Sequence, residues 1–208
     1  MKIYASNMKI ILTVLAVFIA ALAVYYCVGQ NVMQTAADKL EEEAMDLSYF
    51  KDFSLPLVTG EGEITEEVYK GYKVTVFNGW APWCGACVSE MPDLDELSKA
   101  YADKGLQIIG IVADYNETMQ LNPDYDYNGE SLAILENLGT SYKNVNSDQA
   151  FTLQVMPTMG GAFPCTWAVN EKGEVLGLVS GSRSTEQWTK LFDQWLADAD
   201  KGTTEASK

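Results

Sequence analysis

Two cysteines at Cys-x-x-Cys spacing, set between a strand-like run and a helix-like run, constrain this chain more than any other feature. Val74-Thr75-Val76-Phe77 leads into Trp80-Ala81-Pro82-Trp83-Cys84-Gly85-Ala86-Cys87, and Val88 to Tyr101 leads out. The β-branched content of the first run suits a strand buried on both faces. In the second, Leu94, Leu97 and Tyr101 fall at i, i+3 and i+7, which predicts one buried helical stripe. Pro92 lies inside that stripe and is expected to kink the helix near its first turns. If Cys84 opens the helix, free backbone N–H groups and the positive end of the helix dipole lie against its sulfur. Both favour thiolate over thiol, so the pKa of Cys84 is expected to fall below that of a free cysteine. Cys87, one turn further on, is near enough to resolve a mixed disulfide.

The same spacing also occurs in zinc half-sites and in structural disulfides. Zinc takes four ligands, whereas this sequence has no histidine, and its other cysteines, Cys27 and Cys165, are single and far apart. A structural staple does not require a tryptophan-flanked turn at a helix start. Redox exchange is the reading that uses all of these residues, and it needs no metal and no cofactor.

The sequence has 208 residues, 48% of them hydrophobic and 21% charged, enough for one domain with a full core plus extensions. A formal net charge of −15 repels phosphate backbones and argues against nucleic acid as a partner. Residues 1–9 carry Lys2 and Lys9, and Ile10 to Val28 then runs for nineteen residues without a charge. That length approaches a bilayer-spanning helix, with the basic end expected in the cytoplasm. Residues 10–28 are therefore read as a single-pass anchor, with the rest of the chain outside the cytoplasmic membrane. Ala21-Leu22-Ala23 offers a competing signal-peptidase site, and Cys27 a competing lipidation site. Residues 29–49 read as a polar, partly helical connector, 50–199 as the main domain and 200–208 as a disordered tail.

Within the main domain, Phe53 to Val58 reads as a short strand whose Pro56 suits only an edge, followed by turn residues Thr59 to Glu63 and a return over Ile64 to Tyr69. Leu106 to Ala113 is a second buried strand, making a right-handed parallel strand–helix–strand unit with the first. Asp114 to Asn128 is acidic and tyrosine-rich, and Glu130 to Leu138 reads as a helix ended by Gly139. A short helix is expected over Asp148 to Val155. Thr166 to Asn170 and Val175 to Val179 form a hairpin around Glu171-Lys172-Gly173-Glu174. Ser184 and Gln187 form a capping box for a final helix, whose Trp188, Leu191, Phe192, Trp195 and Leu196 make a core-facing stripe.

The block Asn78 to Pro92 resembles the active-site segment of thioredoxin-like proteins, in particular the membrane-tethered TlpA/ResA branch of thiol–disulfide oxidoreductases. The resemblance extends over most of Phe53 to Leu196. It implies an α/β thioredoxin fold, a central mixed sheet flanked by helices, with an N-terminal hairpin and an inserted helical segment. It implies Cys84 as nucleophile and Cys87 as resolving cysteine. A cis proline facing the Cys-x-x-Cys turn is implied too; Pro164 fits it, with Pro157 as the competitor. Phe163 and Pro164, with Trp83, then form the substrate-binding surface. Asn78 stands where thioredoxins proper carry a buried aspartate. Glu90, three residues after Cys87, is read either as a tuner of Cys87 or as a solvent-facing helix residue. Cys165 stands where threonine is usual, as a third thiol or a small buried residue.

The function expected is reduction of disulfides in exported proteins, with re-reduction by a membrane electron-donor protein. A thiol peroxidase of peroxiredoxin type and a non-catalytic binding module are the alternatives on the same fold.

Overall fold

The computed structural model describes residues 48–113 and 127–205. The expected anchor and nearly all of the connector lie outside the described residues, as does most of the Asp114–Asn128 stretch. Among the described residues no helix is long and apolar enough to cross a membrane.

A five-stranded mixed sheet carries the structure. Its strands are β3 (Val74–Trp80), β4 (Leu106–Val112), β5 (Lys143–Asn146), β6 (Cys165–Asn170) and β7 (Val175–Ser180), while β1 (Ser54–Pro56) and β2 (Glu63–Thr65) form a separate hairpin. The large sheet has the order β5-β4-β3-β6-β7. β3 pairs parallel with β4 and antiparallel with β6, and β4 pairs parallel with β5. Every residue of β3 is buried, the polar Thr75 and Asn78 included.

Alternation along the central strands divides the core in two. Val74, Val76 and Trp80, with Ile108 and Val112 from β4, face α1 (Gly85–Ala102) and α3 (Thr185–Glu205). Here Met91, Leu94, Leu97 and Tyr101 of α1 meet Trp188, Phe192 and Trp195 of α3. The inserted α2 (Tyr127–Leu138) adds Leu132 and Leu135 to the same side. Phe77, Ile109, Ile111 and Trp167 face the other way, against Phe50, Phe53, Leu55, Tyr69 and Phe151. Phe77 is the hub of that side, with its ring 5.1 Å from Phe50 and 5.8 Å from Phe53.

The capping box forms as expected: Ser184 N–H donates to Gln187 Oε1 at 3.0 Å, and Gln187 N–H to Ser184 Oγ at 3.4 Å. Two expectations need correction, and one strand has no counterpart among them. The return over Ile64–Tyr69 is a strand only as far as Thr65. Its side chain accepts from Glu67 N–H and starts a 3-10 turn over Glu66–Tyr69, and that turn delivers Tyr69 Oη to the Phe50 carbonyl at 2.7 Å. The final helix continues to Glu205, so residues 200–205 belong to it rather than to a tail; Asp200, on that added turn, pairs with Lys73. The edge strand β5 has no counterpart in the sequence reading, because its Lys-Asn-Val-Asn composition shows no apolar pattern. A polar contact seats it instead: Trp80 Nε1 donates to Asn144 Oδ1 at 3.0 Å across β4. Gly110, between them, leaves the room, since a Cβ there would lie 1.8 Å from Asn144 Oδ1.

Gly110→Ala is therefore expected to destabilise the fold by about 1–3 kcal/mol through overpacking, read as a lower urea midpoint at unchanged m-value. An unchanged midpoint would show that Asn144 moves aside freely.

Candidate active site

The register of two strands assembles the site. β3 ends at Trp80, four residues before Cys84, and β6 begins at Cys165, directly after Pro164. Antiparallel pairing sets Gly79 opposite Cys165, so the turn after β3 and the turn before β6 emerge at the same end of the sheet. Gly79 has to be glycine, since a Cβ there would come within 2.8 Å of Cys165 Sγ.

Cys84 is the N-cap of α1, and Cys84 and Cys87 are joined as a disulfide with S–S 2.06 Å. Cys87 N–H donates to Cys84 Sγ at 3.2 Å. In the reduced protein that N–H and the helix dipole both stabilise a Cys84 thiolate. The two sulfurs are not equivalent, because Cys84 retains 8% of its exposure and Cys87 none. Only Cys84 can be reached from outside.

Beside it, Trp83 is 57% exposed, and its ring meets Phe163 edge-on at 5.7 Å. The Phe163–Pro164 peptide bond is cis. Pro157 instead sits at the start of a 3-10 turn, Met156–Met159, which closes on left-handed Gly160. The Pro164 carbonyl accepts from Gly181 N–H at 2.8 Å.

Glu90 is not solvent-facing. It is 4% exposed, because its position on α1 points under the sheet rather than away from it. Asn78 Nδ2 donates to Glu90 Oε1 at 3.3 Å and to Thr166 Oγ1 at 3.1 Å. Arg183 N–H and Trp188 Nε1 donate to Glu90 Oε2 at 3.1 and 3.4 Å. Burial pushes the Glu90 carboxyl above its ordinary range, opposed by these three donors and by the Arg183 charge. The i, i+3 spacing puts Glu90 on the Cys87 face of α1. The site thus has an accessible sulfur at its mouth and a buried sulfur and carboxylate behind it.

Thr166, Arg183 and Trp188 were not singled out as site residues from sequence. Arg183 carried a signal, being the only arginine in the chain; the other two become visible only once β6 and α3 are folded against α1. Cys165 is fully buried and unpaired, with its Sγ 3.8 Å from Met156 Sδ. Burial pushes its thiol far above the ordinary range, which fits a packed small residue rather than a third exchanging thiol.

A dithiol at a helix cap beside a cis proline, on a mixed sheet of this order, defines a thioredoxin-type thiol–disulfide oxidoreductase. The Redoxin family model matches residues 46–189, and the chain belongs to that family. It is 28% identical to the thioredoxin-like protein YneN of Bacillus subtilis, over 79% of this chain and 88% of that one. It is likewise 28% identical to the thiol-disulfide oxidoreductase ResA of Bacillus thuringiensis, over 57% of this chain and 61% of that one. Among solved structures, a thiol:disulfide interchange protein of the thioredoxin family from Chlorobium tepidum matches in fold, with a TM-score of 0.55 at 21% identity, over 70% of this chain and 94% of that one.

Alkylation of the reduced, native protein at neutral pH is expected to label Cys84 first and to leave Cys165 unlabelled until denaturant is added. Mass spectrometry of the peptides reads both. Rapid native labelling of Cys165 would overturn its assignment as packing.

Proposed function

We propose that this protein reduces disulfides in exported proteins, from a position anchored to the outer side of the cytoplasmic membrane. The observation that carries the exchange reading is the Cys84–Cys87 disulfide at the N-cap of α1, with the buried Glu90 carboxyl on the Cys87 face of that helix. In the reduced enzyme, the Cys84 thiolate attacks a substrate disulfide sulfur and releases the first substrate thiolate. Trp83, Phe163 and the cis Pro164 turn present an apolar, strand-like surface to the extended chain around that disulfide. Cys87 must then lose its proton before it can attack Cys84 Sγ. Glu90 accepts that proton, the Cys84–Cys87 disulfide closes, and the second substrate thiolate leaves.

Asn78 cannot take the proton as an aspartate would; its amide holds Glu90 in place instead. Regeneration needs two electrons from a dithiol donor, and a membrane electron-donor protein suits a domain outside the cytoplasm. The uncharged Ile10–Val28 run supports the anchor. The relatives named for thiol–disulfide exchange support the chemistry. Closure of the active disulfide between neighbouring cysteines supports exchange over peroxide reduction, and a peroxide-consumption assay separates the two.

A reduction potential for the Cys84–Cys87 pair near or below about −250 mV, set against a glutathione or thioredoxin couple, is the expected result, and one near about −120 mV would reverse the direction. Cys87→Ser is then expected to accumulate mixed disulfides with its substrates.

Because burial raises the Glu90 carboxyl, the rate of substrate-disulfide reduction should fall as pH drops through that raised value, where Glu90 becomes protonated and can no longer accept. Glu90→Gln should lower the rate by roughly 10²-fold or more and remove this acid limb. An unchanged pH–rate profile would exclude Glu90 as the proton acceptor.

A further inference from the structure

We propose that Arg183 is a positioning residue for this reaction: through the loop 181–184 it holds the Glu90 carboxylate in place and ties it to the backbone of the cis-proline turn. This rests on the reading of Glu90 given above. The loop leaves β7 at Gly181 and enters α3 at Thr185. At its first residue, Gly181 N–H donates to the Pro164 carbonyl at 2.8 Å. Two residues on, Arg183 N–H donates to Glu90 Oε2 at 3.1 Å. The Arg183 side chain folds back over the same loop, where Nη1 donates to the carbonyls of Gly181 and Ser182, both at 3.0 Å. One residue thus fixes the loop, presents its backbone N–H to the buried carboxylate and, from its guanidinium on the loop, adds a charge that favours the ionised carboxyl. The substrate-facing turn and the proton-accepting group hang from opposite ends of a three-residue span.

The choice of residue supports this. Arg183 is the only arginine in a chain of net charge −15. A buried carboxylate stays ionised only where donors and opposite charge offset its lost hydration. Asn78, Trp188 and the Arg183 backbone supply neutral donors, and the Arg183 side chain adds the positive charge. The other titratable groups around Glu90 do not replace it. Cys87 and Asp93 lie on its own helix, and Asp93 accepts from Thr185 Oγ1. Tyr142, just before β5, is held neutral by burial and by the negative charges of Glu90 and Asp95. An arginine also suits a loop clamp better than a lysine, because its planar fork loses less freedom per hydrogen bond formed.

The test follows the Glu90 carboxyl directly, as the pH titration of its 13C signal in the full oxidised chain labelled at glutamate Cδ, with Glu90→Gln identifying the resonance. Arg183→Gln is expected to move the Glu90 midpoint upward by on the order of one pH unit, and to move the acid limb of the rate profile of the reduced enzyme by the same amount. Arg183→Lys, which keeps the charge, should restore much of the shift. Should the glutamine variant fail to fold, Arg183→Met keeps the length and the apolar stem and gives the same reading. A Glu90 midpoint unmoved by loss of the guanidinium would overturn the proposal. The titration does not depend on turnover, so a moved midpoint in a protein whose rate ignores Glu90→Gln would sink the proton-acceptor reading and leave the Arg183 assignment standing.

Discussion

The antiparallel pairing of β3 with β6 is the interaction on which the rest depends. It runs from Val74 opposite Asn170 to Gly79 opposite Cys165. A side-chain period of two makes that register all or nothing, since a one-residue slip would exchange the two faces of the strand. Trp80 would leave the α1–α3 core, and Phe77 would leave the aromatic cluster on the other side. The same register sets how far the Cys84 turn stands from the Phe163–Pro164 turn. Packing and chemistry are therefore specified together, and the absence of a side chain at Gly79 lets the two strands close where Cys165 would otherwise obstruct them.

Behind the dithiol the structure buries what a packing argument alone would exclude. Asn78, Glu90 and Thr166 are all almost without exposure. Apolar residues of similar volume would pack there at less desolvation cost. The arrangement is nearly satisfied rather than fully so: Glu90 has donors on both oxygens, but Asn78 Oδ1 has no partner among the described residues. A polar cluster with an open acceptor, placed beside a redox-active cysteine, is what a site needs if protons are to move when the disulfide opens. The stability forgone there is offset by the two apolar layers on either side of the sheet.

How much of this could be read from sequence follows the physics of each element. β3, β4, α1 and α3 announce themselves because a strong period coincides with caps: the Trp188–Trp195 stripe and the Ser184–Gln187 box are local signals for local structure. The cis bond at Phe163–Pro164 is legible only through resemblance and the order of elements after it, since nothing intrinsic to a Phe-Pro pair marks it. β5 was illegible because Asn144 earns its place through a hydrogen bond to Trp80, sixty-four residues away in sequence. Glu90 was ambiguous for the same reason. Its burial is decided by Arg183 and Trp188, more than ninety residues further on, and a helical wheel of α1 alone cannot see them.

That difference bears on how the site works. The residues legible in sequence are Cys84, the aromatics Trp83 and Phe163 at the mouth of the site, and Cys87 just behind them. The residues that had to be found in the fold surround the carboxylate, and they come from three elements: β3 supplies Asn78, α3 supplies Trp188, and the loop before α3 supplies Arg183. A carboxyl held from three sides is less free to relax than one held by its own helix, and donors preorganised around a charge stabilise it without reorganising. The short motif supplies the cysteine pair, and the tertiary fold supplies the buried carboxyl behind it and the donors that hold that carboxyl.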